Sequence, residues 1–131
     1  MDRLAWVCLG SALGGGARYL LSLAALRWLG PSFPYGTLAV NVVGSFAVGL
    51  LMHVALETAV VPPGVRIFLA TGVLGGLTTY STFNYETLIL ATEGEWQLAA
   101  LNLAATVLGC GIAGVLGIVS GRALVDVLAS G

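Results

Sequence analysis

Thr71-Gly72-Val73-Leu74-Gly75-Gly76-Leu77-Thr78-Thr79-Tyr80-Ser81-Thr82-Phe83 lies inside an apolar segment that opens at Ile67 and carries no charge until Glu86. Glycine has the most backbone freedom to lose in a helix, and a threonine hydroxyl competes for main-chain partners. Gly72, Gly75 and Gly76 followed at once by Thr78 and Thr79 therefore predict a helix broken within a hydrophobic segment. In hydrocarbon, main-chain groups released from a helix must be satisfied inside protein or line a polar cavity. A break at that depth is built around something. The usual occupants are ions, held by carbonyls at half-helix C-termini or by amides at N-termini. The hydroxyls beyond the break, and the aromatic pair Tyr80 and Phe83, suggest a path on its far side.

Composition requires a membrane around this segment. Apolar residues make up 58% of the chain and charged residues 8%, and the mean hydropathy is +0.99. A soluble domain carries roughly 25% charged residues. At about 20 residues per crossing, the 131 residues accommodate four helices with short connections in a single domain. The net charge is −1, and the cations Arg3, Arg18, Arg27, Arg66 and Arg122 are scattered. Without a basic cluster, a nucleic-acid partner or an electrostatic lipid anchor is not expected. Cys8 and Cys110 read as small buried hydrophobes, at a spacing that supports neither a disulfide nor a metal pair. The N-terminal apolar run lacks a convincing cleavage site and reads as a retained first helix.

Working outward, the first helix is expected from about Leu4 to Leu29, its apolar run interrupted by Arg18, with Gly30-Pro31 ending it. The second runs from about Tyr35 to Leu56 and carries Thr37, Asn41, Ser45 and His53 as polar members. The third spans Arg66 to about Thr92 with the break inside it, and the fourth about Trp96 to Leu124. Trp6, Trp28 and Trp96 fall near predicted ends, where aromatic anchors sit at the membrane–water interface. Small residues recur four apart at Gly10/Gly14, Ser45/Gly49, Gly72/Gly76, Ala105/Gly109 and Gly117/Gly121. Such pairs let membrane helices approach closely, and their number on every helix predicts a homodimer. With four crossings, Arg3, Arg66 and Arg122 share one side, while Arg27 lies opposite, joined by Arg18 if that side chain snorkels to the interface. Positive charge sets orientation, so this slight bias is compatible with insertion both ways round and with an antiparallel dimer.

Several residues have more than one reading. Arg18 either faces a vestibule or partner, or snorkels to the interface. Glu86 is a proton relay or a hydrogen-bonded structural partner. Asn41 offers donors without net charge, toward an ion or a neighbouring helix. Asn102 and Thr106, four apart on one face, would line a polar track with Ser81 and Thr82. Tyr80 and Phe83 either pack ordinarily or present positive ring edges to an anion. His53 reads as an interfacial residue without a transport role.

Gly14-x-x-Ala17-Arg18-Tyr19, Gly36-Thr37-Leu38-x-Val40-Asn41-x-x-Gly44-Ser45-Phe46 and Gly75-Gly76-Leu77-Thr78-Thr79-Tyr80-Ser81-Thr82-Phe83 together resemble the Fluc (CrcB-like) fluoride channel family. The resemblance covers nearly the whole length, and the third motif is highly specific. It implies an all-α membrane protein with four transmembrane helices and a broken third helix. It further implies an antiparallel dual-topology homodimer, with two pores that export toxic fluoride passively from the bacterial cell through the inner membrane. A structural sodium ion at the dimer interface is implied, held by the main-chain carbonyls of Gly75 and Thr78. Tyr80 and Phe83 fall on the family's pore aromatics, Asn41 on its pore asparagine and Arg18 on its vestibule arginine. Two departures stand out: Tyr80 replaces the usual phenylalanine, and Asn102 and Thr106 stand where tyrosine and serine are common.

The physical logic agrees. Fluoride is small and strongly hydrated, so a pore must replace its water with hydrogen-bond donors, which Asn, Ser and Thr provide without a trapping charge. The main alternative is a small multidrug-type proton-coupled exporter, but the first, second and fourth helices have no central carboxylate. A non-conducting assembly subunit would leave the break unexplained. No nucleotide-binding loop is present, which disfavours ATP-driven transport.

Overall fold

The computed structural model describes residues 3–130 and is helical throughout, with no strand among the described residues. Helix α1 runs Arg3–Leu29, and α2 runs Tyr35–Glu57. The third segment is composite: α3 (Pro63–Arg66), a π-helical stretch (Ile67–Leu74), α4 (Gly75–Leu77) and α5 (Tyr80–Thr92). Helix α6 runs Trp96–Ser130. The turns follow local chemistry. Gly30 ends α1 at φ 82° and Gly94 turns the chain before α6 at φ 88°, a left-handed conformation that glycine adopts without steric cost.

Helices α1, α2 and α6 are each long and apolar enough to cross a membrane, which makes this a multi-pass membrane protein. Large apolar residues lie exposed on these helices, Leu13, Leu20, Val43, Leu108 and Val115 among them. At about 1.5 Å per residue, the 35 residues of α6 exceed a hydrocarbon core of about 30 Å. It continues past the expected end near Leu124 because the following run, through Asp126 to Ser130, contains neither glycine nor proline.

The break is narrower than the sequence suggests. Gly72, Gly75 and Gly76 do not interrupt the helix; the chain stays wound through them, widened to π geometry over Ile67–Leu74. Only Thr78 and Thr79 leave it, with ψ 155° and ψ 116° respectively. In an apolar surrounding each unsatisfied main-chain group costs several kcal/mol, and this outweighs glycine's propensity deficit of about 1 kcal/mol. The glycines serve close approach instead. A Cβ on Gly72 would lie 2.8 Å from the Gly10 Cα, and one on Gly76 would lie 2.7 Å from the Ser11 carbonyl. A Cβ on Gly14 would collide with the Val73 carbonyl.

Glycines also set the second seam, where α2 packs along α6. A Cβ on Gly49 would lie 2.5 Å from the Gly114 carbonyl, and Gly117 abuts the Phe46 carbonyl with no room for one. Their spacing is thus accounted for by packing within one chain. The cysteines also differ from expectation: Cys8 is exposed on α1 and Cys110 is partly exposed, both as free thiols.

Candidate functional site

Thr79 is the centre of the site because its peptide has left the helix. In a continuous helix its amide would bond to the Gly75 carbonyl. Here the Thr79 N–H donates to Asn41 Oδ1 at 2.7 Å, and Asn41 Nδ2 donates to the Thr79 carbonyl at 3.0 Å. One carboxamide from α2 thereby satisfies both main-chain groups of the extended residue, as a neighbouring strand would. Gly44, one turn along α2, has no Cβ and so admits the Thr78 methyl. The Thr78 hydroxyl donates back to the Leu74 carbonyl at 2.9 Å. Asn41 is buried at 7% exposure, so removing this clamp would strand two polar groups.

The same residue starts the second half-helix. The Thr79 hydroxyl accepts from the Thr82 amide at 3.2 Å and donates to the Thr82 hydroxyl at 3.0 Å, with the Ser81 hydroxyl 3.4 Å away. This is an N-cap, and it concentrates three hydroxyls at the positive end of the α5 dipole. Ser81 and Thr82 themselves face outward.

A cavity of about 500 Å³ opens beside the break, with Asn41, Ser45, Thr79, Tyr80, Phe83 and Thr106 among its walls. Thr106 is 7% exposed, and its buried hydroxyl has no hydrogen-bond partner among the described residues. The two aromatics meet edge-on, with centroids 5.7 Å apart and planes at 61°, which is the arrangement their quadrupoles favour. Their surroundings differ sharply: Phe83 is 4% exposed and Tyr80 77%.

A second cavity of about 380 Å³ lies one turn further along the same helices. There the Thr37 hydroxyl donates to Glu86 Oε1 at 2.8 Å, while Glu86 Oε2 is buried without a partner among the described residues. Thr37 precedes Asn41 by four residues and Phe83 precedes Glu86 by three, so each pair shares a helix face. The two cavities therefore follow one another along α2 and α5, and Phe83 lines the first of them.

The residues singled out from sequence are only partly brought together. Asn41, Thr78, Tyr80, Phe83 and Thr106 meet around the first cavity, where Gly75 also lies at its exposed edge. Asn102 turns elsewhere, donating through Nδ2 to the Thr87 hydroxyl at 2.8 Å. Arg18 is half-buried on α1, away from both cavities. Sequence reasoning passed over Thr79 as the clamped residue, and over Thr87. It noted Thr37 without pairing it to Glu86. Helical spacing could have flagged two of them, since Thr37 lies four before Asn41 and Thr87 four after Phe83. Hydrogen bonds spanning 38 and 49 residues, as in Asn41–Thr79 and Thr37–Glu86, leave no such signal.

A family model described as CrcB-like protein, Camphor Resistance (CrcB), matches residues 5–118. A protein of Anaeromyxobacter dehalogenans named "Fluoride-specific ion channel FluC" is 60% identical over 110 residues, covering 84% of this chain and 87% of that protein. Proteins of the same name from Geobacter metallireducens and Magnetococcus marinus are 50% and 48% identical, covering 90% and 92% of this chain. In both, at least 95% of the relative's own length is matched. With the family model spanning all four apolar segments and the identities this high, the chain belongs to the CrcB-like family.

Proposed function

We propose that the protein is a passive fluoride-selective ion channel that exports fluoride from the cytoplasm across the bacterial inner membrane. It is a channel and not an enzyme, as the names of its relatives indicate. The observation that carries the reading is the Thr78–Thr79 break, opening on a cavity whose polar groups are hydroxyls, an amide and main-chain atoms without formal charge. A fluoride ion shedding water needs donors of that kind. It would pass from the Thr37–Glu86 cavity, across the ring edge of Phe83, to the Thr106 hydroxyl, unpartnered among the described residues, and the hydroxyl cluster at the α5 N-terminus.

The working unit in this reading is an antiparallel, dual-topology homodimer with two pores. Tyr80 and Gly75, at the rim of the break, are exposed in the single chain, which supports a partner completing the pore there. The scattered arginines support insertion in both orientations.

Sodium fits the same place. The Thr79 amide has turned to Asn41, so the Gly75 carbonyl loses its helical donor, and the Thr78 carbonyl lies outside the ladder altogether. Such main-chain oxygens suit a hard cation. Gly75 and Thr78 of both subunits would hold the ion, and it would supply a fixed positive potential near the pores.

Fluoride efflux from liposomes tests the function. Vesicles containing the purified protein should release fluoride once valinomycin relieves the charge imbalance. Release no faster than from protein-free vesicles would exclude the reading.

A further inference from the structure

Asn102 is 1% exposed, among the most deeply buried side chains of the protein, yet it does not reach either cavity. Its Nδ2 donates to the Thr87 hydroxyl at 2.8 Å, and that hydroxyl donates onward to the Phe83 carbonyl at 2.8 Å. The direction of the chain is forced. Thr87 uses its only proton on Phe83, so it can only accept from Asn102. Donation and acceptance at one hydroxyl reinforce each other in a low-dielectric surrounding.

The chain ends on the main chain of Phe83, whose side chain lines the first cavity. A threonine hydroxyl bonded to the carbonyl four residues back bends a helix locally, so this bond sets the course of the turn between Phe83 and Thr87, and Asn102 ties that turn to α6. We propose that Asn102 and Thr87 are positioning residues that fix the Phe83 ring in the ion path. This rests on the channel reading given above. Neither residue then needs to touch the ion.

Two readouts test it. For flux, the Thr87→Val and Asn102→Leu variants should each lose fluoride efflux by roughly fivefold to tenfold, the scale of one net buried hydrogen bond, while Thr87→Ser should conduct normally. The double variant should lose no more than either single one, and neither change should add to the loss in Phe83→Ile. Normal flux in Thr87→Val overturns the proposal. So does a loss confined to Asn102→Leu, which would place Asn102 on the ion itself, or a loss that adds to that of Phe83→Ile.

The second readout does not depend on transport. With 4-fluorophenylalanine at the four phenylalanines, the Phe83 resonance should shift or broaden in Thr87→Val and in Thr87→Ala but not in Thr87→Ser. An unchanged resonance in Thr87→Val, or in Thr87→Ala where the valine variant does not assemble, overturns the proposal. Should the wild type pass no fluoride, the channel reading falls and this spectrum alone decides the positioning.

Discussion

At the residue scale, Asn41 and Phe83 carry the account. Asn41 presents an acceptor to the Thr79 amide and a donor to its carbonyl. Asn41→Asp keeps the acceptor but sets a carboxylate oxygen against the Thr79 carbonyl, and it adds negative charge beside an anion path. Fluoride efflux from liposomes should be abolished. Asn41→Ala should destabilise the break by about 1–3 kcal/mol for each stranded group, read as a lower thermal midpoint in detergent. A variant conducting and melting like the wild type would reduce Asn41 to a passive contact. Phe83→Ile removes the ring edge with little change in volume. Flux should drop by about tenfold or more, equivalent to about 1.4 kcal/mol or more in a barrier, with assembly intact by gel filtration.

Asn41, Tyr80, Phe83 and Thr106 stand out in the sequence because polar or paired aromatic groups in an apolar run need a reason, and the structure gathers them around one cavity. What they touch was not legible. The amide of Asn41 lies 38 residues from the peptide it clamps, and no periodicity reports such a pairing.

At the element scale, the composite third segment is a helix kept intact by need and opened only where a substitute partner exists. Glycine content suggested a wide break, but each main-chain group must be satisfied in hydrocarbon. Asn41 can satisfy the N–H and C=O of just one residue, Thr79, so the break stays confined to it and the adjoining Thr78. Thr78→Ser should be tolerated, since any ligand there is main-chain and the hydroxyl bond to Leu74 is retained. Gly75→Val should fail in the assembled channel although the single chain has room for it. The nearest atom to a Cβ there is the Ala70 carbonyl at 3.7 Å, so the loss would come from a partner. Equal flux in both variants, with sodium present and with a large organic cation in its place, would contradict the role given to the break. Along the α1 seam, Gly14→Ala should destabilise by about 1–3 kcal/mol, because a main-chain carbonyl cannot swing aside.

At the scale of the whole molecule, the four apolar segments and their order followed from hydropathy and turn residues, with four of the eight ends coinciding and the others displaced by one to six residues. Oligomeric state was the weaker inference, because the small residues that suggested a dimer pack α1 on the third segment and α2 on α6. The exposed rim of the break is the better reason to expect a partner. Dual topology predicts that Ser32→Cys, in a chain with Cys8 and Cys110 replaced, is labelled by an impermeant maleimide to similar extents in right-side-out and inside-out vesicles. Labelling from one side alone would fix a single orientation.

The central claim is selective, passive conduction of fluoride, and reversal potential tests it most directly. Across a planar bilayer holding the reconstituted protein, with a tenfold fluoride gradient and equal chloride on both sides, the current should reverse at about 59 mV, the single-charge equilibrium value. A reversal near zero, or no current above the bare bilayer, would contradict it.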